Sequence, residues 1–261
     1  MGVFDHLPGR KQLFSVQPAD KQMWQKSHAS PIAPRCDCRL NPQGAFTELH
    51  LHPETQNTEC EGWKILLELI ENAASKGSEE FAPGLEMPSE LWSQVITLPS
   101  SISKLISVKK LYLYGSHLVR VPPEIGDMQN LEELDLYTSY RLHWLPYEVT
   151  RCLKLKRSRA STRGLYGNFK YRPPFPKLER QSLPADVRSR TCNVCQKVLT
   201  RETVVLVWIS LRVGTDVFPL LVNACSDECV RRLPPSAKGY VQGPHNGGLD
   251  LLQPKPGINS I

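Results

Sequence analysis

The sequence predicts an α/β fold: a short stack of repeated strand-and-turn units, a helical cap on its N-terminal side, and a small C-terminal α+β module gathered around four cysteines. Three observations predict it. A 23-residue pattern runs Leu111-x-Leu113, Leu118, Val121-Pro122, Ile125, Met128 and starts again as Leu131, Leu134-x-Leu136, Leu142, Leu145-Pro146, Val149, Cys152. A fixed period of this size signals stacked supersecondary units. Ahead of it, apolar residues recur at helical spacing; behind it, cysteines come in two local pairs flanking a β-branched run.

Residues 1–35 are polar and predict a poorly ordered segment. Residues 36–87 predict a capping region. Within it the alternation Phe46-Thr-Glu-Leu49-His-Leu51 suggests a strand, and Trp63, Leu66, Leu67, Ile70 and Ala74 place one apolar face on a helix over 62–76. Gly77 then stands where a left-handed C-cap falls. Such a helix covers the open end of a repeat stack, which otherwise exposes apolar side chains.

Residues 88–178 predict the repeats. A partial unit comes first (Val95, Leu98-Pro99, Ile102, Leu105), without a clean strand before it. Full units follow at 108–130 and 131–154, then a degenerate one, Leu155-Lys-Arg-Ser158-Arg-Ala160. The stretch from Tyr171 to Leu178 is expected to peel away and close the far end. The order Leu-x-x-Leu-x-Leu, then Leu-x-x-Leu-Pro-x-x-Ile, resembles the leucine-rich repeat family in its short bacterial form with a Leu-Pro turn. The resemblance implies a short leucine-rich repeat solenoid and, by analogy with how such folds are used, a partner-binding concave face rather than a reaction site.

Residues 179–190 read as a polar linker and 191–235 as a separate unit. Cys192-x-x-Cys195 opens it. Thr203 to Val213 reads as a strand, Gly214-Thr-Asp216 as a turn, Val217 to Val222 as the returning strand, and Cys225-x-x-x-Cys229 as the start of a short helix ended by Pro234-Pro235. Residues 236–261 read as an extended tail.

Side chains alternate across a strand, so the leucines of each repeat point inward and the residues between them outward. Tyr112, Tyr114, Asp135, Tyr137 and Arg159 are therefore expected on one face as partner-binding residues; the alternative is a solvated face. Cys192, Cys195, Cys225 and Cys229 are the expected metal ligands, because four sulfurs in a tetrahedral cage suit structural zinc. Their arrangement resembles a treble-clef zinc finger, which usually has two residues between the second pair where this chain has three. Buried thiols, or a redox Cys-x-x-Cys, are the alternatives, the latter without the βαβ context it needs. A second set (Cys36, Cys38 and Cys60 with His50 and His52) could hold another metal, although solvated histidines explain it as well. Cys152 matches Met128 one unit earlier and is expected to be buried, and His143 to lie at the surface.

The net charge of +6 is uneven. Residues 151–190 hold twelve basic residues against two acidic, so this block carries +10 and the rest of the chain −4. Such a block attracts nucleic acid or an acidic partner, and aromatic residues among the charges could stack on bases. Phosphate-binding glycine loops and hydrolase signatures are missing, so no catalysis and no small-molecule substrate is predicted. No apolar run is long enough to span a membrane. A cytoplasmic, non-enzymatic protein-interaction scaffold is the expectation; a nucleic-acid-binding protein using the basic block and the zinc module is the alternative.

Overall fold

The computed structural model describes residues 38–40, 46–179, 184, 189–200 and 202–256. Four short strands form a parallel sheet in the order β3-β4-β5-β7: β3 is Glu80–Phe81, β4 Lys110–Tyr112, β5 Glu133–Leu136 and β7 Arg157–Ala160. Register follows the repeat, with Leu111 opposite Leu134 and Tyr112 opposite Asp135, which in turn faces Arg159. Three-residue-per-turn helices at Ser100–Lys104, Pro123–Asp127 and Tyr147–Arg151 form the opposite layer. Each begins directly after the proline of a Leu-Pro or Val-Pro pair. Proline fixes φ and gives up a donor that the first helical turn leaves unused.

Within the turn layer, successive units approach closely at a glycine. A Cβ on Gly126 would lie 2.5 Å from the carbonyl oxygen of Glu148 in the next unit, so only glycine permits this approach. Between the layers, Leu111, Leu113, Leu118, Ile125, Met128, Leu131 and Leu145 are fully buried. Cys152 is buried in the Met128-equivalent place, as its position in the repeat predicts.

The N-terminal side begins with β1 (Arg39–Leu40) and β2 (Phe46–Glu48), an antiparallel pair. Helix α1 spans Glu61–Ser75, one residue ahead of the expected 62–76. Its buried stripe is Gly62, Leu66, Ile70 and Ala73, with Trp63 and Ala74 at the edges. Gly77 takes φ +60°, and the amide of Ser78 reaches the carbonyl of Ala73 at 2.9 Å, completing the left-handed cap. The sheet contains one strand more than the leucine pattern reveals: Phe81 of β3 takes the place of Leu111 and Leu134, and two short helices, α2 (Pro83–Glu86) and α3 (Ser89–Trp92), lead from it to Val95.

The far end is closed differently from the expectation for Tyr171–Leu178. A hairpin of two nine-residue strands, β8 (Val205–Val213) and β9 (Asp216–Ala224), lies against the repeats. Leu145 and Pro146, as β6, pair in parallel with Leu220 and Leu221 of β9. The hairpin tip covers the exposed edge of β7: the Ser158 hydroxyl donates to the Val213 carbonyl at 2.6 Å, and the Ser158 amide donates to the Thr215 hydroxyl at 3.2 Å. Gly214, with φ +64°, sits so near that a Cβ would meet the Ser158 nitrogen at 2.8 Å. Polar Ser158 is therefore tolerated where earlier strands carry leucine. The segment near Phe175 packs instead beside Trp208, with the tail returning over it through the bond from the Leu178 amide to Asn246. One apolar core runs from Leu66 and Ile70 through the repeat leucines to Ile209, Phe218 and Leu220 of the hairpin.

Candidate functional sites

The four C-terminal cysteines converge, their sulfurs within 4.8 Å of one another. Cys192 and Cys195 share a tight turn: the Cys192 amide donates to the Lys197 carbonyl at 2.8 Å, the Gln196 amide donates to the Cys192 carbonyl at 3.0 Å, and Gln196 takes φ +62°. Cys225 lies just past β9. Cys229 lies in the first turn of α4 (Asp227–Arg231), whose N-cap Ser226 accepts from the Cys229 amide at 3.3 Å. Cys195 and Cys229 each lie 3.5 Å, sulfur to sulfur, from Cys225. Two sulfurs at about 2.3 Å from a tetrahedral centre lie about 3.8 Å apart, so the cluster has the dimensions of a metal cage and these residues could hold a metal ion.

Electrostatics point the same way. Burial raises the Cys192 thiol, but amide groups of Cys195, Val194 and Cys225 outweigh it and bring its pKa down to about 6. Cys229 is pushed up to about 12, first by burial and then by the neighbouring sulfurs of Cys225, Cys195 and Cys192. The protein alone favours the thiolate at Cys192 and disfavours it at Cys229; a cation held by the four sulfurs would stabilise the charge of the remaining thiolates.

Glu148, which sequence reasoning passed over, ties this turn to the repeats. It is buried within the third layer of turns, and its Oε1 accepts from Asn193 Nδ2 at 2.6 Å and from the Ser189 hydroxyl. Asn193 in turn exchanges bonds with Asn223: its Oδ1 accepts from the Asn223 amide at 2.7 Å, and its amide donates to the Asn223 carbonyl at 2.8 Å. Burial raises the Glu148 pKa, and the Ser189 and Asn193 bonds limit that rise.

The N-terminal set assembles only in part, and with a member from elsewhere. Cys38 and His52 meet His143, which is 1% exposed and so contradicts the expectation of a surface position. Cys38 Sγ is 3.7 Å from His52 Nε2 and 3.4 Å from His143 Nε2, and the two nitrogens are 3.2 Å apart. His50 stands aside, 3.3 Å from Glu48, and the Cys60 thiol donates to the Asn57 carbonyl at 3.0 Å just before α1. Cys36 lies outside the described residues. The missed signal for His143 was positional: it follows Leu142 as Val119 follows Leu118, and Val119 is fully buried.

Of the five residues expected to bind a partner, Tyr112, Asp135 and Arg159 fall in one row across the sheet, and Tyr114 and Tyr137 lie just past the ends of β4 and β5. Tyr114 and Tyr137 lie with ring centroids 5.9 Å apart. The Arg159 guanidinium is 4.2 Å above the Tyr137 ring and 3.6 Å from Asp135. Asp135 is buried between the flanking strands, which raises its pKa, and its Oδ1 accepts from the Tyr137 amide at 2.9 Å. Tyr112 is half-buried; burial, then the carboxylates of Glu80 and Asp135, push its phenol up to about 12. A neighbouring row alternates in sign, Glu80, Lys110, Glu133, Arg157, with Lys110 Nζ 2.7 Å from Glu80 and Arg157 paired to Glu133.

Much of the basic block is engaged within the chain. Lys156 pairs with Glu132 at 3.1 Å, and Lys154 donates to Asn130 at 2.6 Å. Arg172 donates to the carbonyls of Gly167 and Pro254, both at 3.0 Å. Among the described residues, no helix is long and apolar enough to cross a membrane.

Comparison with known proteins adds little to this geometry. No family model and no curated protein matches the chain. Among solved structures, a leucine-rich repeat protein of Leptospira interrogans is similar over 33% of this chain, with 25% identity and a TM-score of 0.24. The match spans 25% of that protein's own length. A mixed α/β chain with a parallel sheet and a cysteine-rich cluster able to hold a metal is the class these observations define.

Proposed function

We propose that the chain is a non-enzymatic protein-interaction scaffold. In this reading it is a short leucine-rich repeat solenoid that binds a protein partner on the outward sheet face, and zinc held by Cys192, Cys195, Cys225 and Cys229 fixes the C-terminal hairpin. The observation that carries it is the column of Tyr114, Tyr137 and Arg159, packed ring to ring and cation to ring beside an exposed Tyr140. Tyrosine and arginine are favoured anchors because they offer large contact area at low entropic cost. Repeat folds commonly present such residues on their sheet face. The internal pairing of Lys154, Lys156, Arg157 and Arg172 weighs against the nucleic-acid alternative, since it leaves less of the block for phosphate contacts.

The test is affinity capture from native lysate, with and without nuclease, comparing the wild type with the Tyr114→Ala/Tyr137→Ala double variant. A photo-crosslinking side chain at Leu153, an exposed position beyond the turn layer, serves as a control. The proposal expects a discrete protein that survives nuclease, crosslinks through Tyr137 and not through Leu153, and is lost in the folded double variant. Capture that disappears with nuclease or is unchanged in the variant would remove the assignment of this face.

A further inference from the structure

We infer that Cys38, His52 and His143 form a second metal site for a zinc-like divalent ion, which clasps the N-terminal segment onto the repeats. The three ligand atoms come from three separate segments, yet they converge within 4.8 Å. Metal–nitrogen bonds of about 2.0–2.1 Å at a tetrahedral angle place two nitrogens about 3.4 Å apart, and a nitrogen and a sulfur about 3.6 Å apart. The spacings here are 3.2 Å between nitrogens and 3.4 and 3.7 Å to sulfur.

The surroundings orient both rings for this role. His143 Nδ1 is 2.8 Å from the Gly164 carbonyl, which can only accept; the ring proton therefore sits on Nδ1, and Nε2 offers its lone pair to the centre. His52 Nδ1 lies 3.3 Å from the Glu54 carboxylate, which favours the same tautomer. This is the outer-shell arrangement that fixes metal-binding histidines. Two nitrogen lone pairs facing each other at this distance repel unless a positive centre lies between them.

The backbone that carries His52 is held by the repeats. Arg120, 1% exposed, donates to the carbonyls of His52 and Glu54, both at 2.6 Å, and Arg141 pairs with the Glu54 carboxylate. The site is therefore complete only when the N-terminal segment has docked. Its donor set, one thiolate and two imidazoles, suits zinc or cobalt over calcium or magnesium, which take oxygen ligands.

The experiment loads full-length apoprotein with cobalt(II), which reports thiolate ligation by charge-transfer absorption, and counts bound metal. The wild type is expected to bind two ions. The Cys192→Ser/Cys195→Ser variant is expected to keep one, with the weak charge transfer of a single thiolate. In that background Cys38→Ala, a change at the periphery that keeps the buried rings, should abolish the charge transfer, and His143→Ala should abolish binding. One wild-type ion with a four-thiolate spectrum would overturn the second site and leave the quartet standing. One ion with a single-thiolate spectrum would support the second site and sink the quartet. If the serine variant does not fold, the wild-type spectrum and the Cys38→Ala variant alone decide between these outcomes.

Discussion

The two clusters differ in what builds them. The four sulfurs are placed by local structure: a tight turn, a strand end and the first turn of a five-residue helix, with backbone amides already lowering one thiol to about 6. The Cys38–His52–His143 cluster is placed by tertiary packing alone, in a seam between the N-terminal segment and the repeats where both histidines are buried. The first can form once the hairpin folds. The second exists only when the repeat turn at His143 and the segment near His52 are docked. The difference teaches that a metal at the second site would report docking of the whole chain, whereas a metal at the first reports folding of one module.

The largest effect should come from removing the quartet. A structural zinc contributes on the order of 10 kcal/mol of apparent binding free energy at neutral pH. The Cys195→Ser/Cys225→Ser variant should therefore lose order at the Cys192 turn and α4, read as rapid proteolysis within 191–200 and 225–235 while the hairpin strands and the repeats survive. Equal resistance to wild type would show that the cluster is held by packing alone.

Next comes the aromatic wall that both regions share. Trp208 is fully buried, donates Nε1 to the Pro176 carbonyl at 2.9 Å and packs edge-on against Trp144 and Tyr166. Trp208→Ala should cost about 3–5 kcal/mol in denaturant unfolding, and should loosen the Cys38 side as well as the hairpin, since Leu49 and Cys38 belong to this cluster. A loss confined to the hairpin would break the link between the regions.

Acid should then separate them. His143 titrates near 3 and His245 near 4 in the folded chain, both lowered by burial, against about 6.5 when unfolded. Below 6.5 the unfolded chain binds protons that the folded chain refuses, so stability falls as pH drops toward the folded values. For metal-free protein this amounts to about 2 kcal/mol from His143 at pH 5. His143→Gln should flatten the pH dependence of unfolding between 6.5 and 4; an unchanged slope would contradict the burial of a neutral ring.

The smallest effect should come from the isosteric change at Glu148. Glu148→Gln keeps an oxygen for the Asn193 amide and relieves a buried charge, so unfolding should change by less than about 1 kcal/mol, whereas Glu148→Ala should cost about 1–3 kcal/mol by orphaning buried donors. Equal effects would mean that this side chain does not brace the Cys192 turn.

The strands and turns of the repeats were legible because one short period encodes both: inward leucines alternate with outward polar residues, and each Leu-Pro or Val-Pro marks a turn. Phe81 escaped because a two-residue strand carries too few alternations to register. The quartet was legible because its ligands lie three and four positions apart in local pairs. His143 was not, because its partners are 91 and 105 residues away and burial depends on segments that sequence proximity does not connect. The contacts by which the hairpin closes the sheet were hidden for the same reason: Ser158 reads as a degraded leucine position until Gly214 is laid against it.

The most direct test of the two-site account is X-ray absorption at the zinc edge on full-length, zinc-loaded protein. The account predicts two ions per chain and an averaged shell of about 2.5 sulfurs at about 2.3 Å with about one imidazole nitrogen at about 2.0 Å per zinc. A shell of sulfur alone, with one ion per chain, would contradict it.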